Sequence, residues 1–207
     1  KMSLSSAGVL TVSSTITADS KDVILGKNAG TNFTGSLLLG HATTGTLNAA
    51  QYNTGVGLTA LDALTTGDNN TAIGHNAGTA IADAINNVAV GSIALQDNVG
   101  GYYNTAIGYG ALQNCTTHRN TAVGEASLSA VISGQKNCGF GGGSLSLTTG
   151  ASNIGIGYQA GNNITSGDGN VVIGNGDVSS ATGDNQFKIS DGVDGSVVWM
   201  TGDSSAN

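Results

Sequence analysis

Three histidines, His41, His75 and His118, carry the ring most often used for proton transfer or metal ligation, and they are scattered along the chain. His41 and His75 both follow a glycine two repeats apart, a separation near ~10 Å in a stacked sheet, too wide to share an ion within one chain. Exposed polar side chains are the favoured reading of all three. Asp168 and Asp177 could hold Ca²⁺ together with loop carbonyls, but Asp- and Gly-rich loops are common without metal. The glycines of Gly139–Gly143 and of Gly155-Ile156-Gly157 with Gly161 resemble phosphate-binding loops only superficially, since that fingerprint needs a following helix. Cys115 and Cys138 lie in neighbouring repeats, where they could pair but read better as separate small apolar groups. Hydrolysis of a polysaccharide would need paired carboxylates, and Glu125 is the only glutamate. No catalytic, cofactor or metal site is expected. The remaining cluster is Tyr102, Tyr103 and Arg119, because aromatic faces stack on sugars and Arg adds directional donors. These three are the candidate receptor contact.

Most of the glycines that imitate a nucleotide loop belong to a repeat. Short runs such as Asn70-Thr71-Ala72-Ile73-Gly74 recur, with closing glycines at 26, 40, 57, 74, 91, 108, 124, 141, 157 and 174. The spacing is 14 once and 16 or 17 thereafter, a period that marks a stack of supersecondary units. One column is Asn53, Asn70, Asn87, Asn104, Asn120, Asn137, Asn153 and Asn170. Stacked rungs would place these amides in register, bonded along the stack, and Asn suits a left-handed corner. The closing column, Gly57, Gly74, Gly91, Gly108, Gly124, Gly141, Gly157 and Gly174, marks a tight corner or a close backbone approach. Before each glycine stands a bulky apolar residue (Leu25, Leu39, Val56, Ile73, Val90, Ile107, Val123, Phe140, Ile156, Ile173), and before that usually a small one. The bulky column is expected inside, so that Ile107→Ala would open a cavity. After the glycine, Ala or Ser followed by Leu or Gly is expected to form a second short strand. The five to eight polar residues that close each repeat read as loops.

Composition agrees with a thin stack of small residues. Gly makes up 34 of 207 residues, Pro is absent and only 9% of residues are charged. That excludes collagen, which needs Gly at every third position with Pro. The net charge of −7 argues against nucleic-acid partners. No apolar run is long enough to span a bilayer, so membrane insertion is not expected. The chain opens on Lys1-Met2 with no apolar signal segment, which reads as a piece of a longer protein or a processed product. Three segments are expected: a β lead-in at 1–20, a repeat domain at 21–176 and a β cap or transition module at 177–207. In the last, the repeat pattern stops and Phe187-Lys188-Ile189 and Val197-Val198-Trp199-Met200 read as two joined strands.

The Asn, small, aliphatic, Gly columns over about 22–176 resemble the head repeat of YadA-like trimeric autotransporter adhesins, which also occurs in bacteriophage tail fibres. The tail Asp184-Asn185-Gln186-Phe187-Lys188-Ile189-Ser190 resembles, less closely, the segment that precedes a self-cleaving chaperone in phage fibres. The resemblance implies an all-β fold: a left-handed parallel β-roll or solenoid of about ten 14–17-residue repeats, assembled as a homotrimer. It implies a structural segment of a virion tail fibre that attaches to the host or spaces the fibre, with other fibre or virion proteins as partners. The alternative it carries is the head of an adhesin on a bacterial surface. A host cell-surface glycan or protein would be met on the loops at 79–86, 97–103, 114–119 and 162–169, because the repeat columns are committed to packing.

Overall fold

The computed structural model describes residues 2–4, 10–12, 33–39, 48–191 and 196–203. The first repeat with Leu25 and Gly26, the lead-in residues Val9 and Ile16, and Gly40 and His41 lie outside the described residues. Among the described residues every regular element is a short strand. They are β1 (Met2–Leu4), β2 (Leu10–Val12), β3 (Phe33–Thr34), β4 (Leu37–Leu39), β5 (Ala50–Gln51), β6 (Thr54–Val56), β7 (Thr71–Ile73) and β8 (Val88–Val90). There follow β9 (Thr105–Ile107), β10 (Thr121–Val123), β11 (Cys138–Phe140), β12 (Ile154–Ile156), β13 (Val171–Ile173), β14 (Phe187–Ser190) and β15 (Val198–Gly202). No helix among the described residues is long and apolar enough to cross a membrane.

One eleven-stranded sheet runs β4, β6 to β14 in chain order and then β15. Every pairing is parallel except the last, β14 with β15. The chain is therefore a parallel β-solenoid of about nine turns. Register is unshifted from rung to rung: Thr71, Ala72 and Ile73 face Val88, Ala89 and Val90, which face Thr105, Ala106 and Ile107. β1 and β2 pair antiparallel as a lead-in hairpin, and β3 pairs with β5 in a separate two-stranded sheet.

The expected orientation of the strands is reversed. Adjacent strand residues point to opposite faces, and here the small one points in. Ala72, Ala89, Ala106 and Ala122 are fully buried, whereas Ile73, Ile107, Phe140 and Ile156 are 39–43% exposed in the single chain. The reason is the width of the turn. The interior is filled from the other sides of the rung by Leu61, Leu95, Leu112, Leu128 and Leu145, all fully buried. An aliphatic residue on the strand would meet them, and it points inward only on β4 and β13, where Leu38 lies against Gly55 and Val172 against Gly161.

The segment after the closing glycine is not the second strand expected from its spacing. It turns twice through left-handed backbone, at Thr59, Asn76, Ile93, Ala126 and Gln159, and again at the interior leucines, φ 50–56°. Such conformations cost a non-Gly residue roughly 1–3 kcal/mol and persist where the surroundings over-determine them. Here each interior Leu is enclosed, and its N–H donates to the next rung, as Leu112 does to the Ser127 carbonyl at 3.0 Å.

The loops do not simply project. Each turns one residue inward, giving a further buried column of Leu64, Ile81, Asn98, Cys115, Val131, Thr148 and Ile164. Size is traded between the two interior columns. Where the leucine position is Gly78 or Gly161, the loop position is Ile81 or Ile164, and a Cβ on Gly78 would come within 2.8 Å of Ile81. Where it is Leu95, Leu112, Leu128 or Leu145, the loop partner is the smaller Asn98, Cys115, Val131 or Thr148. The trade is partial: Leu61 stands with an equally large Leu64, and at Gly161 part of the space is taken by Val172 on the strand.

Candidate functional site

The asparagine column is buried and fully engaged. Each backbone N–H donates to the side-chain carbonyl of the previous Asn: Asn104 to Asn87 Oδ1 at 2.9 Å, Asn120 to Asn104 Oδ1 at 3.0 Å, Asn137 to Asn120 Oδ1 at 3.0 Å. Each Nδ2 donates to a loop carbonyl of the following turn, as Asn70 does to Ala84 and Asn104 to Thr117, at 2.8 and 2.7 Å. Ser36 Oγ starts the ladder by accepting from the Asn53 N–H. Gln186 ends it, donating its N–H to Asn170 Oδ1 and its Nε2 to the Ser180 and Gly183 carbonyls. The ladder thus runs one rung beyond Gly176, past the point where the sequence repeat stops. The left-handed corner lies not at these asparagines but one residue earlier, at Tyr52, Asn69, Asn86, Tyr103, Arg119, Lys136, Ser152 and Asn185.

The glycine column takes φ near 130° from Gly57 to Gly157 and 101° at Gly174. A Cβ on Gly74, Gly91 or Gly108 would stand 2.5 Å from the carbonyl oxygen of the next glycine in the stack. Both reasons for glycine, corner and close approach, apply at the same atom. These columns hold the rod together and leave no reactive group exposed.

Chemistry is left to the loop corners, and there the sequence candidates do converge. Asn98 clamps its loop by accepting from Gly101 N–H at 2.6 Å and donating to the Gly101 carbonyl at 2.8 Å. Gly101 lies against the Thr117 carbonyl so closely that no Cβ would fit. This brings the corner of one rung onto the corner of the next. Tyr102 stacks on His118 with centroids 3.7 Å apart and planes at 19°. Its N–H donates to His118 Nδ1 at 3.1 Å, which leaves the imidazole proton on Nε2. Tyr103 meets Tyr102 edge-on at 87° and 5.9 Å, and the Arg119 guanidinium lies 5.9 Å over the Tyr103 ring. The Arg119 N–H donates to the Tyr102 carbonyl, and the Lys136 N–H to that of His118. Sequence reasoning named Tyr102, Tyr103 and Arg119 but missed His118 and Lys136. Counting back from the Asn column places both in register with them.

The other candidates stay apart. His75 is exposed after its glycine, and no three His, Cys, Asp or Glu side chains among the described residues could share an ion. Asp168 and Asp177 carboxylates accept from the Ala151 and Asn163 N–H groups. Cys115 and Cys138 are free thiols. Cys115 is an interior loop residue against Asn120 Nδ2, while Cys138 is outward on β11. Burial pushes both thiols above the ordinary cysteine range. No protein-family model, curated protein or solved structure matches the chain.

Proposed function

We propose that this chain is a structural segment of a homotrimeric phage tail fibre, a left-handed β-roll that serves as a rigid spacer and contributes to host attachment. One observation carries the reading. The outward face of the parallel sheet is an apolar stripe running the length of the stack: Leu37, Ile73, Ile107, Phe140, Ile154 and Ile156 are 36–43% exposed. Contiguous apolar patches larger than a few hundred Å² mark interaction surfaces. A stripe with the repeat's own period is matched best by the same stripe on identical chains, and closed rotational symmetry buries it without leaving an open end. The resemblance of the Asn and Gly columns to fibre and adhesin head repeats supports three chains rather than two. Light scattering tests the reading. Three times the chain mass of 20.3 kDa is expected; a monodisperse single chain with β-type circular dichroism would overturn it.

A further inference from the structure

The ledge of Tyr102, Tyr103, His118, Arg119 and Lys136 has no part in the ladder, the core or the apolar stripe. Its composition is anomalous in two ways. The chain has six Lys and Arg in all: Lys1, Lys21 and Lys27 at one end, Lys188 at the other, and only Arg119 and Lys136 between. In a chain of net charge −7, the only two cations of the central stack stand on adjacent rungs, ~4.8 Å apart by strand spacing. The second anomaly is conformational. Tyr103, Arg119 and Lys136 occupy the left-handed corner at φ 61, 61 and 60°. Apart from Tyr52, that corner is elsewhere filled by residues that tolerate it or by small ones: Asn69, Asn86, Ser152, Gly169 and Asn185. Three large side chains in succession hold a position that packing would fill at lower cost with Asn or Gly.

We propose that this ledge binds a saccharide that carries a carboxylate. Tyr102 and Tyr103, 38% and 51% exposed with their planes at 87°, form a two-walled corner for the C–H face of a pyranose. The guanidinium of Arg119 supplies a planar fork matched to a carboxylate, and Lys136, exposed one rung on, supplies a second positive charge. His118 positions the site by stacking under Tyr102 and by accepting its N–H. The ligand is a uronic or sialic acid residue; the shared requirement is one carboxylate beside an apolar sugar face. The proposal deepens the attachment role proposed above. The ledge is complete within one chain, so it does not depend on the number of chains in the rod.

Saturation-transfer NMR on the purified protein, with light scattering on the same sample, tests it. The probes are trigalacturonic acid, 3′-sialyllactose and neutral lactose. Binding of at least one acidic probe and not of lactose is expected, weakening as salt is raised. Tyr103→Asn and Arg119→Asn install the corner's own preferred residue. They are expected to weaken binding by about tenfold or more while the melting temperature holds or rises. Three results would overturn the proposal: neither acidic probe binding at millimolar concentration, lactose binding equally well, or both variants binding as the parent does. A sample of single-chain mass that still binds the acidic probe would refute the trimer and leave the ledge standing.

Discussion

Asn104 shows what one residue does in this stack. Its Oδ1 accepts the Asn120 N–H, and its Nδ2 donates to the Thr117 carbonyl. Asn104→Ala would leave the Asn120 N–H buried without a partner, at about 1–3 kcal/mol, and the Thr117 carbonyl with the Cys115 thiol alone. A lowered denaturation midpoint, with the slope unchanged, is the expected reading. Gly108→Ala meets a backbone oxygen of the next rung and a φ of 132°, so it should lose well over the ~1 kcal/mol that a compatible Gly-to-Ala change gains. Cys115 sets a pH dependence. Burial raises its pKa in the folded chain, so the unfolded chain gives up its proton first as pH rises. Cys115 therefore stabilises below the ordinary cysteine range, and that contribution is lost as pH climbs through the folded pKa. Cys115→Ala should flatten the loss of stability at alkaline pH in a melting series. Both columns could be read from letters alone, because Asn and Gly have few interchangeable substitutes at such sites. The true left-handed corner could not, since Tyr103, Arg119 and Lys136 are residues that intrinsic preference places elsewhere.

The element that misled sequence reasoning is the three-residue strand. Alternation shows that Ala106 and Ile107 face opposite ways but not which way is in. The usual rule puts the larger residue inside. Here the interior is taken by Leu112 and Cys115 from the turn and the loop, and only a methyl fits between them and the strand. The signal was present in the paired substitutions: Gly78 with Ile81, Gly161 with Ile164, against Leu95 with Asn98 and Leu145 with Thr148. Large with small and small with large at a spacing of three points to two residues that share one space, although Leu61 with Leu64 does not follow the trade. The consequence separates two variants. Leu112→Ala removes a fully buried side chain and should cost about 2–5 kcal/mol. Ile107→Ser should leave the secondary structure of the chain intact. Equal loss of β-type circular dichroism on heating the two proteins would contradict the assignment of inside and outside.

At the scale of the whole molecule, each rung touches only its neighbours, so stability accumulates along the rod as a sum of like interfaces. The ladder has distinct ends at Ser36 and Gln186, where hydroxyl and longer amide replace the repeated Asn. β15 closes the last rung by pairing antiparallel with β14, taking up an edge that parallel stacking would leave open. What this architecture leaves unsatisfied is apolar area on the outer sheet face, not hydrogen bonding. Ile107 and Phe140 sit two rungs apart on that face, 39% and 42% exposed, so a change there alters the surface and spares the interior. In the trimer proposed above, Ile107→Lys with Phe140→Lys should release single chains, because two charges per chain would be desolvated in the shared stripe. Light scattering should then report the mass of one chain, with the β-type spectrum retained and dye-accessible apolar surface increased. If an assembled parent and the double variant share one mass, the stripe is not the assembly surface; a parent of single-chain mass would refute the proposed trimer itself.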